Sequence, residues 1–101
     1  MKFLEFAMYD APKAAEVAQA SDKVAKTPGR KVLADYVCEG IAFPGHPPNT
    51  IVAVAVAEYE NNEAMATALY PMALAGATVW AVPVLETQVG RGAATEKKYR
   101  K

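Results

Sequence analysis

The chain has a single cysteine, Cys38, and a single histidine, His46. One thiol forms no intramolecular disulfide and no thiolate zinc framework, which agrees with a reducing compartment. One histidine leaves any metal site to be completed by carboxylates alone, so no metal is expected. Long apolar runs are also missing. The longest, from Ile51 to Ala57, is far short of the ~20 residues that a membrane span needs, so no membrane association is expected. The opening Met1-Lys2-Phe3-Leu4-Glu5 sets an acid where a signal peptide carries its apolar stretch. A cytoplasmic protein is therefore expected. No glycine-rich phosphate loop occurs, because Gly90-Arg91-Gly92 is too short and follows the last strand, and no cofactor is called for.

Neither sign of charge is in excess, since 11 basic residues match 11 acidic ones. The balance is uneven along the chain. The last thirteen residues hold Arg91, Lys97, Lys98, Arg100 and Lys101 against Glu96, which leaves the preceding body acidic by the same amount. No nucleic-acid partner is expected. The Ile51–Ala57 run carries no aromatic or basic residue on which bases could stack, and no pair of cysteines follows the first strand as a metallochaperone would need.

Half of the chain is apolar, and 101 residues suffice for one core but not two. Periodicity predicts a first strand over Phe3–Tyr9, with Leu4, Phe6 and Met8 on one face and Phe3, Glu5, Ala7 and Tyr9 on the other. Asp10 offers a cap for a helix in which Ala14, Val17, Ala18, Ser21, Val24 and Ala25 share a face, until Thr27-Pro28-Gly29 stops it. A second strand is read over Lys31–Phe43, with Val32, Ala34, Tyr36 and Cys38 opposite Leu33, Asp35, Val37, Glu39 and Ile41, and a bulge at Gly40. A proline-rich loop, Pro44 to Asn49, leads to a third strand over Thr50–Tyr59. Asn61 and Asn62 cap a helix striped by Met65, Ala68, Leu69 and Met72 and interrupted near Pro71. The fourth strand is read over Thr78–Thr87, and Gly90–Lys101 has no periodicity.

This order of elements is that of an α+β, ferredoxin-like βαββαβ sandwich over residues 1–88, followed by a basic tail over 89–101. A four-stranded antiparallel sheet would carry two helices on one face, with strands one and three central. Pro83 and the Asp35–Glu39–Gly40 strand suit the edges. Strands three and four are apolar on both faces, including Val52, Val54, Val56, Trp80, Val82 and Val84. Two helices cover one face only, so a homodimer packed sheet to sheet is expected, with higher oligomers left open. The tail is expected to lie across the partner subunit or to stay disordered.

Three stretches carry a resemblance: the opening Met1-Lys2-Phe3-Leu4-Glu5-Phe6, the run Ile51–Glu60 into Asn62-Glu63-Ala64, and Leu69-Tyr70-Pro71 leading to Val79–Glu86. They resemble a family of short prokaryotic proteins catalogued as domain of unknown function 3303. The resemblance implies the fold of the dimeric α+β barrel superfamily, which includes cofactor-free monooxygenases and isomerases, and it implies a dimer rather than a reaction.

Candidate site residues are scattered rather than spaced as a set. Glu5, mid-strand, would be a general base if it were held among Phe3, Tyr9 and Trp80 without a full charge partner; the competing reading pairs it with a Lys or Arg. His46 titrates near neutrality and sits in a loop, where it is either a second base or an inert surface residue. Tyr9, Tyr36 and Trp80 would line a pocket for a flat ligand, or act as core and interface anchors. Two functions follow. One is a dimeric barrel that binds a small apolar or aromatic molecule, or a protein partner, between sheet and helices. The alternative is a cofactor-free monooxygenase- or isomerase-like enzyme. The scatter of acid, base and aromatic residues favours the first.

Overall fold

The computed structural model describes residues 1–38, 45, 47 and 49–100. Strands β1 (Lys2–Asp10), β2 (Arg30–Cys38), β3 (Thr50–Tyr59) and β4 (Thr78–Pro83) form one antiparallel sheet in the order β2-β3-β1-β4. Helices α1 (Ala14–Val24) and α2 (Asn62–Leu74) form the two crossovers, which makes the chain a ferredoxin-like α+β sandwich. Two core clusters lie between helices and sheet. Phe3, Ala57 and Tyr59 meet Val24, Ala64 and Ala68; Ala7 and Tyr9 meet Val17 and Met72. The two faces of β1 are thus those expected from alternation, and β1 and β3 are central.

Local chemistry sets the ends of α2. The Asn61 side chain accepts from the Ala64 amide at 2.8 Å, which caps the helix. Pro71 lies within the helix without ending it. Termination comes at Gly76, whose φ of +111° lets its amide reach the Ala73 carbonyl and the Ala77 amide the Met72 carbonyl, both at 3.1 Å. A Cβ on Gly76 would meet only the flexible end of the Lys13 side chain, which can move aside, so it is the positive φ that calls for glycine there.

Several expectations need correction. Asp10 makes no capping bond; it ends β1, and a 3₁₀ turn over Ala11–Lys13 precedes α1. In α1 the buried residues are Val17 and Val24, whereas Ala18 and Ala25 are exposed. β4 ends at Pro83 rather than at Thr87; the proline sits on an edge strand, and the Val84 amide just beyond it still reaches the Lys2 carbonyl at 3.1 Å. The ladder irregularity of β2 falls between Val32 and Ala34, so one residue, Leu33, is extra there. Val32 therefore shares a face with Asp35 and Val37, not with Ala34, Tyr36 and Cys38. Gly40 and the rest of the long second strand read beyond Cys38 lie outside the described residues. Finally, the basic tail contains a helix, α3 (Gly92–Tyr99), none of whose residues is buried.

Candidate functional site

Pairing register sorts the sheet into rows of side chains. On the helix-covered face one row runs Asp35, Ala55, Glu5, Ala81, and the next runs Val37, Ala53, Ala7, Val79. Alanine at the middle of both rows keeps the floor low beneath the helices. A cavity of about 270 Å³ results, lined by Ala7, Ala53 and Ala55 from the sheet, Leu69 and Met72 from α2, Ser21 and Asp22 from α1, and Ala25 at its C-terminal cap. Glu5, Arg30, Val32 and Asp35 complete the wall. The bulge at Leu33 is what brings Arg30, Val32 and Asp35 to the cavity together, since their spacing would otherwise divide them between the two faces.

Glu5 is 4% exposed and fully engaged. Arg30 Nη2 donates to Glu5 Oε1 at 3.0 Å, and the Tyr59 hydroxyl donates to Glu5 Oε2. Arg30 Nε donates to the Tyr59 hydroxyl at 2.9 Å, and its guanidinium lies 5.8 Å from the centre of the Tyr59 ring. Phe3 closes the group with its ring edge-on to Tyr59, centres 5.9 Å apart. Burial, and then the hydrogen bond to Glu5, push the Tyr59 phenol well above its ordinary range, so it stays a neutral donor. Burial opposes the charge on Arg30, but its bonds to Tyr59 and Glu5 outweigh that and hold its pKa above the usual value. The reading in which Glu5 pairs with an arginine is the one realised, and the condition of a carboxyl without a full charge partner is not met.

The register also separates Glu5 from Trp80. Trp80 pairs with Phe6 on the opposite, open face, where the two rings lie 5.4 Å apart at 34°. One row on that face runs Tyr36, Val54, Phe6, Trp80, and its neighbour runs Ala34, Val56, Leu4, Val82. Tyr36 is 66% exposed and Trp80 39%. Tyr9 belongs to the helix-side core, although it borders with Trp80 a second cleft of about 260 Å³ beside Asp10, Thr50 and Thr78. The three aromatic candidates therefore do not form one pocket. His46 lies outside the described residues. Sequence reasoning missed Arg30 and Tyr59 as site residues; both stand at the tips of edge and central strands, and only the register brings them onto Glu5. Among the described residues no group of three or more His, Cys, Asp or Glu could hold a metal ion.

No family model matches the chain, and no curated protein matches it. Solved structures do. SnoaB, a cofactor-independent oxygenase from Streptomyces nogalater, is 19% identical, covers 85% of this chain and 93% of its own, and superposes with a TM-score of 0.49. A proposed antibiotic biosynthesis monooxygenase from Deinococcus radiodurans is 17% identical over 87% of this chain and 96% of its own, also at 0.49. One from Caulobacter crescentus CB15 is 12% identical over 84% and 91%, at 0.42. At such identities no residue role passes from these proteins to this chain.

Proposed function

We propose that this chain is a small-molecule-binding protein that works as a homodimer and takes a compact, largely apolar ligand in the cavity between its helices and sheet. The observation that carries the reading is the cavity itself, floored by Ala7, Ala53 and Ala55 and roofed by Leu69 and Met72. A volume of about 270 Å³ lies just below the usual range of ligand sites, which suits a single ring or a short branched chain. Glu5 and Arg30 neutralise each other, so they fix the wall rather than offer a free charge. Ser21, Asp22 and Asp35 remain at the edge to meet a polar group of the ligand.

An enzyme of the cofactor-free monooxygenase or isomerase type is less well supported. To act as a base, Glu5 would first have to release both Arg30 and Tyr59, whereas binding asks for no such step. The homodimer is supported by the open face, where Tyr36, Phe6, Trp80, Leu4 and Val82 form contiguous apolar rows. Membership of family 3303, with its prokaryotic setting, and a cytoplasmic location belong to the same reading; no helix among the described residues is long and apolar enough to cross a membrane.

Benzyl alcohol is a suitable probe, titrated to millimolar concentration and followed by amide NMR. Shifts centred on Ala7, Ala53 and Ala55, lost in Ala55→Phe, are expected. Shifts confined to the Tyr36–Trp80 face, or none at all, would overturn the reading.

A further inference from the structure

Charge is spread unevenly around the helix-side cavity. Four of its lining residues are ionisable: Glu5, Arg30, Asp22 and Asp35. Glu5 and Arg30 cancel in their buried pair, and the Tyr59 hydroxyl occupies the second Glu5 oxygen and accepts from Arg30 Nε, so neither has a charge left to give a ligand. Asp22 and Asp35 have no such partner. Both are exposed at the rim, and neither side chain makes an ion pair or a hydrogen bond among the described residues.

The neighbouring bases do not supply the missing charge. Lys23 and Lys26 follow Asp22 in the chain, but neither lines the cavity or pairs with it. Lys31 stands opposite Glu58 on the open side of the sheet, where Glu58 also faces Lys2. From α2 only Leu69 and Met72 reach the wall, and neither is charged. The lining thus sets three carboxylates against one guanidinium, an excess of two negative charges. Helix α1 adds to that excess. Ser21 and Asp22 lie in its last turns and Ala25 caps it, all three on the cavity wall, so the negative end of the helix dipole lies there too.

The two free carboxylates come from different layers of the fold. Asp35 ends the row Asp35, Ala55, Glu5, one alanine away from the buried pair, whereas Asp22 comes from the helix above. We infer that the ligand of this cavity is a cationic amine: one ring or short branched chain that carries a protonated nitrogen, with its body on the alanine floor and its ammonium at Asp22 and Asp35. The Ser21 hydroxyl is a further acceptor for that ammonium. This rests on the reading of the cavity as a ligand site given above. A carboxylate ligand of the same shape is repelled by the same two aspartates, and a neutral one gains hydrogen bonds alone. Because both aspartates are exposed, the attraction is modest and is screened by salt.

The test compares benzylamine, benzyl alcohol and benzoate, each titrated at neutral pH and followed by the amide NMR signals of Ala7, Ala53 and Ala55. At low salt benzylamine, protonated at that pH, should bind about fivefold more tightly than benzyl alcohol, and benzoate more weakly than either. High salt should narrow the difference. In the double variant Asp22→Asn, Asp35→Asn, changed only at exposed positions, the amine and the alcohol should bind alike. An alcohol or an acid that binds the unaltered chain as tightly as the amine, or an amine preference that survives the double variant, overturns selection by charge and leaves the cavity as a site for other ligands. No shift at the cavity with any of the three probes overturns both readings.

Discussion

Arg30 and Glu5 meet at 3.0 Å although β3 lies between their strands. The contact is possible because β3 puts only Ala55 and Ala57 toward the helices beside it, leaving the guanidinium an unobstructed path over the strand. Tyr59, the next residue of β3 on that face, bonds to both. One buried cluster therefore staples three of the four strands at one end of the cavity.

Breaking that staple on one side should be costly. Both side chains are nearly sealed from water, with 8% and 5% exposure. Arg30→Met strands a carboxylate and Glu5→Leu strands a guanidinium, and each should lower the free energy of unfolding by about 3–5 kcal/mol. Removing both together should cost much less than the sum. Urea titrations of the three variants check this; additive losses would show that the pair is not coupled.

Stability should also fall in strong alkali. The Tyr59 phenol is held above its ordinary value by burial and by its bond to Glu5, so the folded state keeps the proton more tightly than the unfolded chain. The resulting stabilisation is complete below the unfolded value of about 10 and is lost as pH rises above it toward the folded value. Tyr59→Phe should flatten the stability profile above pH ~10. Thermal unfolding measured across that range tests it, with an unchanged slope as the contrary result.

The open face predicts a different set of effects. Trp80→Ser removes the largest side chain of the Tyr36–Val54–Phe6–Trp80 row and, in its 5.4 Å contact with Phe6, half of an aromatic pair. Dimerisation should weaken by about tenfold or more, since a central tryptophan truncation commonly costs 2 kcal/mol or above. The helix-side cavity should still take benzyl alcohol. Light scattering against concentration reads the first, and the NMR titration reads the second; an unchanged dimer would mean that this face is not the interface.

Much of this was legible in the residues because it depends on local pattern. The bounds of β3, the Asn61 cap, the Gly76 stop and the two faces of β1 follow from alternation and turn chemistry alone. What needed coordinates depends on relations between strands. An extra residue in β2 has no signature in a stretch as apolar as Val32–Leu33–Ala34, so alternation groups Val32 with Ala34, Tyr36 and Cys38 instead of with Asp35 and Val37. The pairing of Glu5 was foreseen as one option, but not that Arg30 would be the partner across an intervening strand. The cavity is made by alanines, whose apolar character reads the same whether something packs on them or nothing does. α3 has no apolar stripe to betray it; its support comes from Ala93 and Ala94, the Glu96–Arg100 pair and lysines in its last turn.

The extra residue at Leu33 makes β2 behave as a text with a reading frame. Everything after it is read one step out of phase with everything before it. Deleting Leu33 would let Val32 opposite Ala57 be followed directly by Ala34 opposite Val56, so alternation becomes simple while Asp35 and Val37 stay toward the helices and Tyr36 stays on the open side. The frame thus absorbs one lost codon at this point, and both the cavity lining and the open-face row of Tyr36, Val54, Phe6 and Trp80 would survive it.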